Sequence, residues 1–153
     1  AYGLSYASNI KCFGFSIFEV YKYLYRNSKN SVIIPIIDAK KNRFFTSFIE
    51  SDKTFNMYDI EASEILEIIE KNYKTKKIIF TGKDFHLLED KISSDIKFSH
   101  EYKNDYSSED LLDYSKWLIG SGTELVYPKP VYLRKSEAEI KLEEKHKKYT
   151  EMF

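Results

Sequence analysis

The chain has little of what marks secreted, metal-binding or membrane-spanning proteins. Its 153 residues include one cysteine, five glycines and three prolines. Because Cys12 stands alone, the chain can form no internal disulfide, and it lacks the paired cysteines of many zinc and redox sites. No apolar run approaches the roughly 20 residues that a membrane span requires, and the first residues lack the pattern of a signal peptide. We therefore expect a cytoplasmic protein without membrane contact.

Net charge is absent as well. The 24 basic side chains of lysine and arginine are balanced by 24 acidic ones, which removes any bulk electrostatic attraction to nucleic acid. Aromatic residues, in contrast, are abundant, with 13 tyrosines and 11 phenylalanines. Only Arg43–Phe48 combines them with a basic residue in a pattern close to that of a base-stacking strand. We interpret that segment as a half-buried strand, because aromatic residues favour strands in general.

The first 30 residues predict a helix, a strand and a second helix. Residues 1–8 resemble the last turns of a helix that ends near Asn9, and Lys11–Phe15 is a strand candidate. Ser16 and Glu19 have the spacing of a capping box, which starts a helix over Ile17–Asn27. Its apolar face comprises Ile17, Val20, Tyr21 and Leu24. We expect this face to dock on the second half of the chain, to pair with another copy of the chain or to stay unordered.

Three strands in a meander are predicted next. The first, Ser31–Asp38, is a continuous apolar run typical of a strand that is buried on both sides. Pro35 cannot donate a ladder hydrogen bond, so we expect a free edge or a bulge at that point. The turn after it leads into a strand over Arg43–Glu50, and a third strand follows over Phe55–Ile60.

Helices and strands alternate after the meander. The first element is an amphipathic helix, whose apolar face holds Ile65, Leu66, Ile69 and Tyr73. The elements predicted after it are a strand over Lys77–Gly82, a short helix over Asp84–Ile92, a strand over Ile96–Ser99 and a helix over Glu109–Ile119. Ser107 or Ser108 caps the last helix. We expect its core face to hold Leu111, Leu112, Ser115, Leu118 and Ile119, with Tyr114 and Trp117 on a flank.

This order of elements predicts an α/β protein of the ribonuclease-H-like fold. A meander followed by crossover units gives a mixed five-stranded sheet with helices on both faces. The opening helix, strand and helix have the order with which that unit ends, which is the arrangement of two-lobed, actin-like proteins. We therefore expect the end of a first lobe over residues 1–30, a complete second lobe over 31–127, and an extended segment with a C-terminal helix over 128–153.

Four segments resemble the TsaB family, also called YeaZ, in the same order. They are Ala1-Tyr-Gly-Leu-Ser-Tyr-Ala7, Gly14-Phe-Ser-Ile-Phe-Glu19, Ile37-Asp-Ala-Lys-Lys-Asn-Arg-Phe44 and Pro130-Val-Tyr-Leu-Arg-Lys-Ser-Glu-Ala-Glu139. The last two are the most specific, and their motif residues are Asp38, Ala39, Pro130, Tyr132, Leu133 and Arg134. The turn usually carries glycine where Asn42 stands, and asparagine can adopt the same backbone conformation.

The resemblance implies a function in tRNA modification. TsaB proteins are non-catalytic partners of TsaD in the bacterial complex that forms N6-threonylcarbamoyladenosine at position 37 of tRNAs reading codons that begin with A, and TsaE joins through that complex. The family's interface with TsaD lies on first-lobe helices, so Tyr2, Leu4 and Tyr6 are the partner-binding candidates. The resemblance assigns this chain no catalytic residue, no metal and no cofactor.

Two family features have no counterpart in this chain. They are the first strand with its Asp-Thr or Asp-Ser pair and the glycine-rich loop that follows it. We therefore expect much of the first lobe to be missing, and a homodimer formed through the shortened N-terminal segment is one consequence. Thr81-Gly82-Lys83 is the nearest remnant of a phosphate-binding turn, and we interpret it as an ordinary turn.

A metal-dependent nuclease of the ribonuclease-H-like class is the alternative. Such enzymes need carboxylates that converge at strand ends to hold two Mg²⁺ ions. The candidates are Asp38, Glu64 or Glu67, and Asp84. Each also has a structural interpretation, as a turn residue or as part of a solvated helix face. The histidines, His86, His100 and His146, have no metal-ligand spacing.

The C-terminal helix is open to two interpretations. Ser136 and Glu139 form a second capping box, which predicts a helix through Met152 with a narrow apolar stripe of Ala138, Leu142, His146 and Tyr149. One hypothesis is docking on the first lobe, on TsaD or on tRNA, the last through Lys141, Lys145, Lys147 and Lys148. The other is a solvated tail that packs lightly, held by charge pairs at helical spacing.

Overall fold

The chain is a mixed α/β protein in the computed structural model, which describes residues 2–92, 99–136, 138, 139, 141 and 142, without the side chain of Tyr2. The elements in order are α1 (Tyr2–Ser8), α2 (Ile17–Leu24), β1 (Ser31–Pro35), β2 (Ile37–Asp38), β3 (Arg43–Ser47), β4 (Met57–Glu61), α3 (Ala62–Asn72), β5 (Lys77–Thr81), α4 (His86–Glu89), β6 (His100–Tyr102) and α5 (Ser108–Gly120). Among these described residues, no helix combines the length and apolar character that a membrane crossing needs.

The strands form two three-stranded sheets. β1, β5 and β6 are parallel and lie in the order β1-β5-β6, whereas β2, β3 and β4 form an antiparallel meander. The two sheets meet where Ile33 and Ile49 exchange both of their backbone hydrogen bonds, each 2.9 Å long. The meander predicted from the sequence is therefore confirmed, and so is its continuation into parallel crossover units.

Pro35 divides what the sequence predicts as one strand over residues 31–38. The structure corrects that prediction, because Pro35 is the last residue of β1 and Ile36 separates it from β2. The Ile36 amide still donates to the carbonyl of Thr81 at 2.8 Å, and from Ile37 onward the chain pairs with β3 instead. The Ile33 amide donates toward the meander and the Ile36 amide toward β5, so the N–H that Pro35 lacks would lie on the meander side, and its absence interrupts the bonding there between Ile33 and Ile37.

Alternate residues of the central strands face two separate cores. Val32 and Ile34 of β1 lie with Ile65 and Ile69 of α3 in the larger core, to which α4 adds Leu88. Residues of the opposite parity, such as Ile33 and Ile79, pack against α2 on the other face. Because side chains of a strand alternate between its faces, an uninterrupted apolar sequence such as 32–36 requires cover on both sides, as the sequence predicts.

The N-terminal segment packs on the second of these cores. The capping box at Ser16 and Glu19 is confirmed, but α2 ends at Leu24, earlier than predicted. Phe18 and Tyr21 of α2 contact the strands, so of the three outcomes considered for this helix the structure shows docking on the sheet.

The predicted strand Lys11–Phe15 is wrong. Residues 10–16 have no regular secondary structure, and the Gly14 amide makes one bond of 3.0 Å to the carbonyl of Val126. No neighbouring strand lies beside this segment within the described residues, so its apolar character serves packing instead of a ladder.

The structure also corrects the orientation of α5. Its buried residues are Tyr114 and Leu118, with Leu111 and Ser115 partly buried. Leu112 and Ile119, which the sequence analysis places in the core, are 55% and 57% exposed. The cap at Ser107 is confirmed by its bond from the Asp110 amide. Hydrophobicity alone favours leucine and isoleucine over tyrosine in the core, whereas Tyr23 of α2 and Phe15 just before it provide the ring contacts that select Tyr114.

The remaining predictions concern α4, β6 and the C-terminal helix. The short helix predicted over Asp84–Ile92 is α4, limited to four residues, and the last strand is β6, later than the predicted Ile96–Ser99, of which residues 96–98 lie outside the described residues. The capping box at Ser136 and Glu139 is confirmed by bonds of 2.7 and 3.3 Å. The rest of the predicted helix, including His146, Tyr149, Lys145, Lys147 and Lys148, also lies outside the described residues.

Candidate functional site

The fold brings the two most specific motif segments into contact. Arg134 of the C-terminal segment donates through Nη2 to the carbonyl oxygen of Ala39 at 3.1 Å, although 95 positions separate the two residues. The same guanidinium places Nε 3.4 Å from Oδ2 of Asp59 in β4. We call the contact between Arg134, Ala39 and Asp59 the motif junction. It ties the extended C-terminal segment to the first turn of the meander.

Asp59 is the electrostatic centre of the motif junction. Its side chain is 5% exposed, and its Oδ1 accepts from Nε of Arg43 at 2.8 Å. Arg43 also donates to the backbone carbonyl of Asp59 and lies 3.8 Å from Glu61. The hydrogen bond to Asp59 raises the pKa of Arg43 above its ordinary value. The carboxylate therefore lies between two guanidinium groups, with Oδ1 hydrogen-bonded by Arg43 and the buried Oδ2 in an ion pair with Arg134 that is not a hydrogen bond.

Asp38 closes the turn on the other side of Ala39. Its carboxylate accepts from the Lys40 amide at 2.8 Å and from the Lys40 ammonium at 2.6 Å, and these hydrogen bonds lower the pKa of Asp38. Asp84, which follows β5, accepts from the backbone amide of Asp38 at 2.9 Å. Both carboxylates therefore hold the turn, as a hairpin-entry role for Asp38 predicts.

The turn itself has an unusual backbone. Lys40, Lys41 and Asn42 all have positive φ angles, of 63°, 55° and 60°. Only asparagine among these adopts the left-handed region readily, and each lysine there costs roughly 1 kcal/mol. The turn is held by two backbone bonds, from Ala39 to Arg43 at 3.0 Å and from Arg43 to Lys40 at 3.2 Å.

Gly82 sits next to this turn for a steric reason. It has a φ of 98°, and a Cβ built on it would lie 2.5 Å from the carbonyl oxygen of Ile36. The end of β5 therefore passes against the link between β1 and β2 at a distance that only glycine permits. This accounts for Gly82 within Thr81-Gly82-Lys83 as a packing residue of a turn.

An apolar groove of about 590 Å³ adjoins the motif junction. Its walls are the start of α2, the face of the meander that carries Phe45 and Met57, and the segment 126–133. Leu133 lines the groove and is partly buried, whereas Tyr132 is 84% exposed and Pro130 is also exposed. Gly14 allows the segment to approach, because an added Cβ would lie 2.6 Å from Cβ of Pro128.

The partner-binding candidates lie on α1, outside both cores. Leu4 is 76% exposed and Tyr6 is 93% exposed, while the side chain of Tyr2 lies outside the described residues. No residue of α1 carries a charge, and the helix ends at Ser8, followed by Asn9 with a φ of 51°. The side chains of Leu4 and Tyr6 are therefore accessible to a partner.

The carboxylates of the nuclease alternative are only partly brought together. Asp38 and Asp84 meet at the turn, but Glu64 accepts from the Glu61 amide at 2.8 Å as the cap of α3, and Glu67 is exposed. Within the described ranges, no three side chains of histidine, cysteine, aspartate or glutamate form a group that could hold a metal ion. Of the histidines, His86 and His100 lie in different elements, and His146 is outside those ranges.

Sequence reasoning missed Asp59 and the groove. The available signal for Asp59 was a charged residue between Tyr58 and Ile60 in a predicted strand, facing a strand that begins with Arg43. Opposite charges on neighbouring strands commonly pair. The groove has no local signal, since its walls come from three separate parts of the chain.

No protein-family model matches the chain, and no curated protein is significantly similar to it in sequence.

Proposed function

We propose that this chain is a TsaB-like, non-catalytic scaffold subunit that supports TsaD in a cytoplasmic tRNA-modifying complex. The reaction of that complex forms N6-threonylcarbamoyladenosine at position 37 of tRNAs reading codons that begin with A, and TsaE joins through the complex. The chain itself contributes protein surface and supplies no cofactor.

The motif junction is the observation that carries this proposal. The resemblance rests most on the turn with Asp38 and Ala39 and on the segment that contains Arg134, and the hydrogen bond of 3.1 Å joins these two segments. Distant segments that a fold brings into contact have a shared structural reason to occur together. The contact therefore supports the interpretation that both segments resemble the TsaB family because they form one structural unit.

The strand arrangement supports the finer fold proposal, a ribonuclease-H-like lobe over residues 31–127. With β2 taken as the continuation of β1 past Pro35, and with Ile33 and Ile49 joining the sheets, the strands follow the order β4, β3, β1 with β2, β5, β6. That is a mixed five-stranded order with one antiparallel meander and two parallel neighbours. Residues 1–30 correspond in this proposal to the closing elements of a first lobe, and residues 128–153 to the extended segment and its helix.

The use of charge at the motif junction favours a scaffold over a catalyst. Asp59 is held by two arginines, Asp38 by Lys40, and Asp84 by the Asp38 amide. A catalytic carboxylate must be able to exchange its partners for substrate, water or metal. These groups instead hold one part of the chain to another.

The experiment is binding to TsaD with variants of α1. We expect the chain to co-elute with TsaD in size-exclusion chromatography, and the double variant Leu4→Asp, Tyr6→Asp to bind at least about tenfold more weakly, because exposed apolar anchors dominate such interfaces. The matched control is Leu112→Asp, Ile119→Asp, which places the same two charges on the exposed side of α5. Sedimentation of the chain alone reports whether it forms a homodimer through α1.

Two results would contradict the proposal. One is the absence of any complex with TsaD, and the other is equal weakening by the α1 and α5 variants. A Mg²⁺-dependent nuclease activity that Asp38→Asn abolishes would establish the alternative function. That outcome is independent of TsaD, so the assay separates the two functions cleanly.

A further inference from the structure

Three aromatic rings form a cluster where α2 meets α5. Trp117 lies 5.1 Å from Tyr23 and 5.7 Å from Tyr114 between ring centroids, and Tyr23 lies 5.4 Å from Tyr114. Tyr114 is 4% exposed, whereas Trp117 is 48% exposed. The buried tyrosine thus anchors an indole that keeps about half of its surface in contact with solvent. Trp117 is the only tryptophan of the chain.

The indole borders a cavity of about 570 Å³. The cavity lies between α2, α5 and the loop that follows β3, from which Phe55 and Thr54 contribute to the lining. Its volume falls within the range of small-molecule sites. This loop is at the opposite end of β3 from the turn with Asp38, so the cavity is separate from the motif junction.

Two cations line the same cavity, Lys22 of α2 and Arg26 of the turn that follows this helix. The guanidinium carbon of Arg26 lies 4.0 Å from the centroid of the Tyr23 ring, and its Nη1 donates to the Tyr23 carbonyl at 2.6 Å. The ammonium of Lys22 donates to the carbonyl of Lys53. Neither cation forms an ion pair with a carboxylate in the part of the chain that the structure describes.

The one acidic residue of the lining is engaged elsewhere. Glu19 accepts from the backbone amide of Ser16 at 2.8 Å, which completes the cap of α2. Burial raises the pKa of Tyr114 to about 12. The cavity therefore combines planar aromatic walls with two positive charges and one carboxylate that serves the helix.

We propose that this cavity binds a nucleotide, with its base stacked on Trp117 and its phosphate at Lys22 and Arg26. Exposed aromatic rings beside cations are the means by which proteins hold unpaired nucleotides without reading their sequence. The ligand is either a free nucleotide or an unpaired residue of single-stranded RNA, which present the same base and phosphate. The proposal goes beyond the scaffold function and does not depend on it, because it concerns this chain alone.

Fluorescence of the single tryptophan measures this binding directly. The chain is titrated with uridine monophosphate in one arm and with a short oligouridylate in the other. Saturable quenching by the monophosphate identifies a free-nucleotide site, and quenching by the oligonucleotide alone identifies an RNA site; both support the proposal. Absence of quenching in both arms overturns the proposed nucleotide site, and the half-exposed ring of Trp117 would then be assigned to a protein interface.

Charge variants test the phosphate contact. We expect Lys22→Gln, Arg26→Gln to weaken binding by about tenfold or more, and to reduce the dependence of log affinity on log salt by about 1 for the oligonucleotide. The matched control, Lys71→Gln, Lys74→Gln, removes the same charge from exposed positions at the end of α3, a helix that packs on the opposite face of the strands. Equal weakening by both pairs overturns the site assignment.

Ring variants test the stacking contact by a readout that needs no tryptophan. With a fluorescently labelled oligouridylate, we expect Trp117→Leu to weaken binding by about fivefold or more and Trp117→Phe to retain most of it, since base stacking needs a ring. The half-exposed position makes both variants compatible with folding. Equal affinity of the leucine and phenylalanine variants contradicts a stacked base.

Discussion

Asp59 holds two arginines at once, and replacing it tests the motif junction. Asp59→Asn keeps the shape of the side chain and removes the charge that Arg43 and Arg134 share. Charge-assisted hydrogen bonds contribute about 1.5–3 kcal/mol each, and the Arg43 contact of 2.8 Å belongs to that class. The Arg134 contact of 3.4 Å, from a side chain that is 36% exposed, contributes less, about 0.5–1 kcal/mol.

We therefore expect Asp59→Asn to lower the free energy of unfolding by about 2–3 kcal/mol. Arg134→Met loses the Ala39 hydrogen bond and the weaker ion pair, so its expected cost is about 1–2 kcal/mol. The double variant should cost less than the sum by about 0.5–1 kcal/mol, because either change removes the same ion pair. Lys116→Met, which breaks an exposed pair of 3.7 Å with Asp113, is the control and should change stability by less than about 0.5 kcal/mol.

Urea unfolding of the four variants and the parent measures these energies, provided that all show the same m-value. Additivity of the energies of Asp59→Asn and Arg134→Met to within about 0.3 kcal/mol would contradict this prediction, because it would mean that Arg134 does not act through Asp59. A cost of Asp59→Asn no larger than that of the Lys116 control would refute it as well, since the buried carboxylate would then contribute nothing.

Three further predictions concern the backbone and pH. Lys41→Gly should be more stable than Lys41→Ala by about 1 kcal/mol in thermal unfolding, because both lose the side chain but only glycine relieves the left-handed backbone; equal stability excludes strain there. Gly82→Ala should lower the unfolding free energy by more than about 2 kcal/mol, since its Cβ would meet a backbone oxygen at 2.5 Å, whereas Gly120→Ala, in open space, should be tolerated, and similar costs would count against the close approach. The carboxylate of Glu50 accepts hydrogen bonds from the ammonium groups of Lys53 and Lys76. Burial raises the pKa of Glu50, but these two hydrogen bonds outweigh that effect and lower the pKa below 4.5. The extra stability of the parent protein over the Glu50→Gln variant should therefore be fully present above pH 4.5 and should disappear as the pH falls through the lower pKa of the folded state. A difference in unfolding free energy that does not change with pH would contradict this prediction.

Local chemistry explains why most elements could be predicted. The capping box at Ser16, the cap at Ser107 and the alternation of apolar and charged residues along α3 act over three or four positions, so the sequence alone contains the whole interaction. The meander was predictable for the same reason, because its turns are short and its strands follow one another. The function proposed from the resemblance remains a prediction that binding to TsaD will decide.

Contacts between distant residues account for what sequence reasoning missed. Lys11–Phe15 has the composition of a strand, but a strand needs a neighbour, and the chain offers this segment a single bond to Val126. Tyr114 replaces Leu112 in the core because its ring packs on Tyr23 of α2 and on Phe15 just before that helix. The local sequence shows neither that a neighbouring strand is missing beside Lys11–Phe15 nor that aromatic rings pack on Tyr114.

The starts of α2 and α5, the burial of β1 on both faces and the alternation of strand and helix after the meander follow from the sequence alone, because they depend on propensity and period. Three arrangements, in contrast, arise from contacts made in three dimensions: the change of sheet after Pro35, the contact of Arg134 with Ala39 and Asp59, and the position of Trp117 beside Lys22 and Arg26. Those arrangements join residues from separate elements. Their energy depends on distance and burial in space, which neighbours in sequence do not determine.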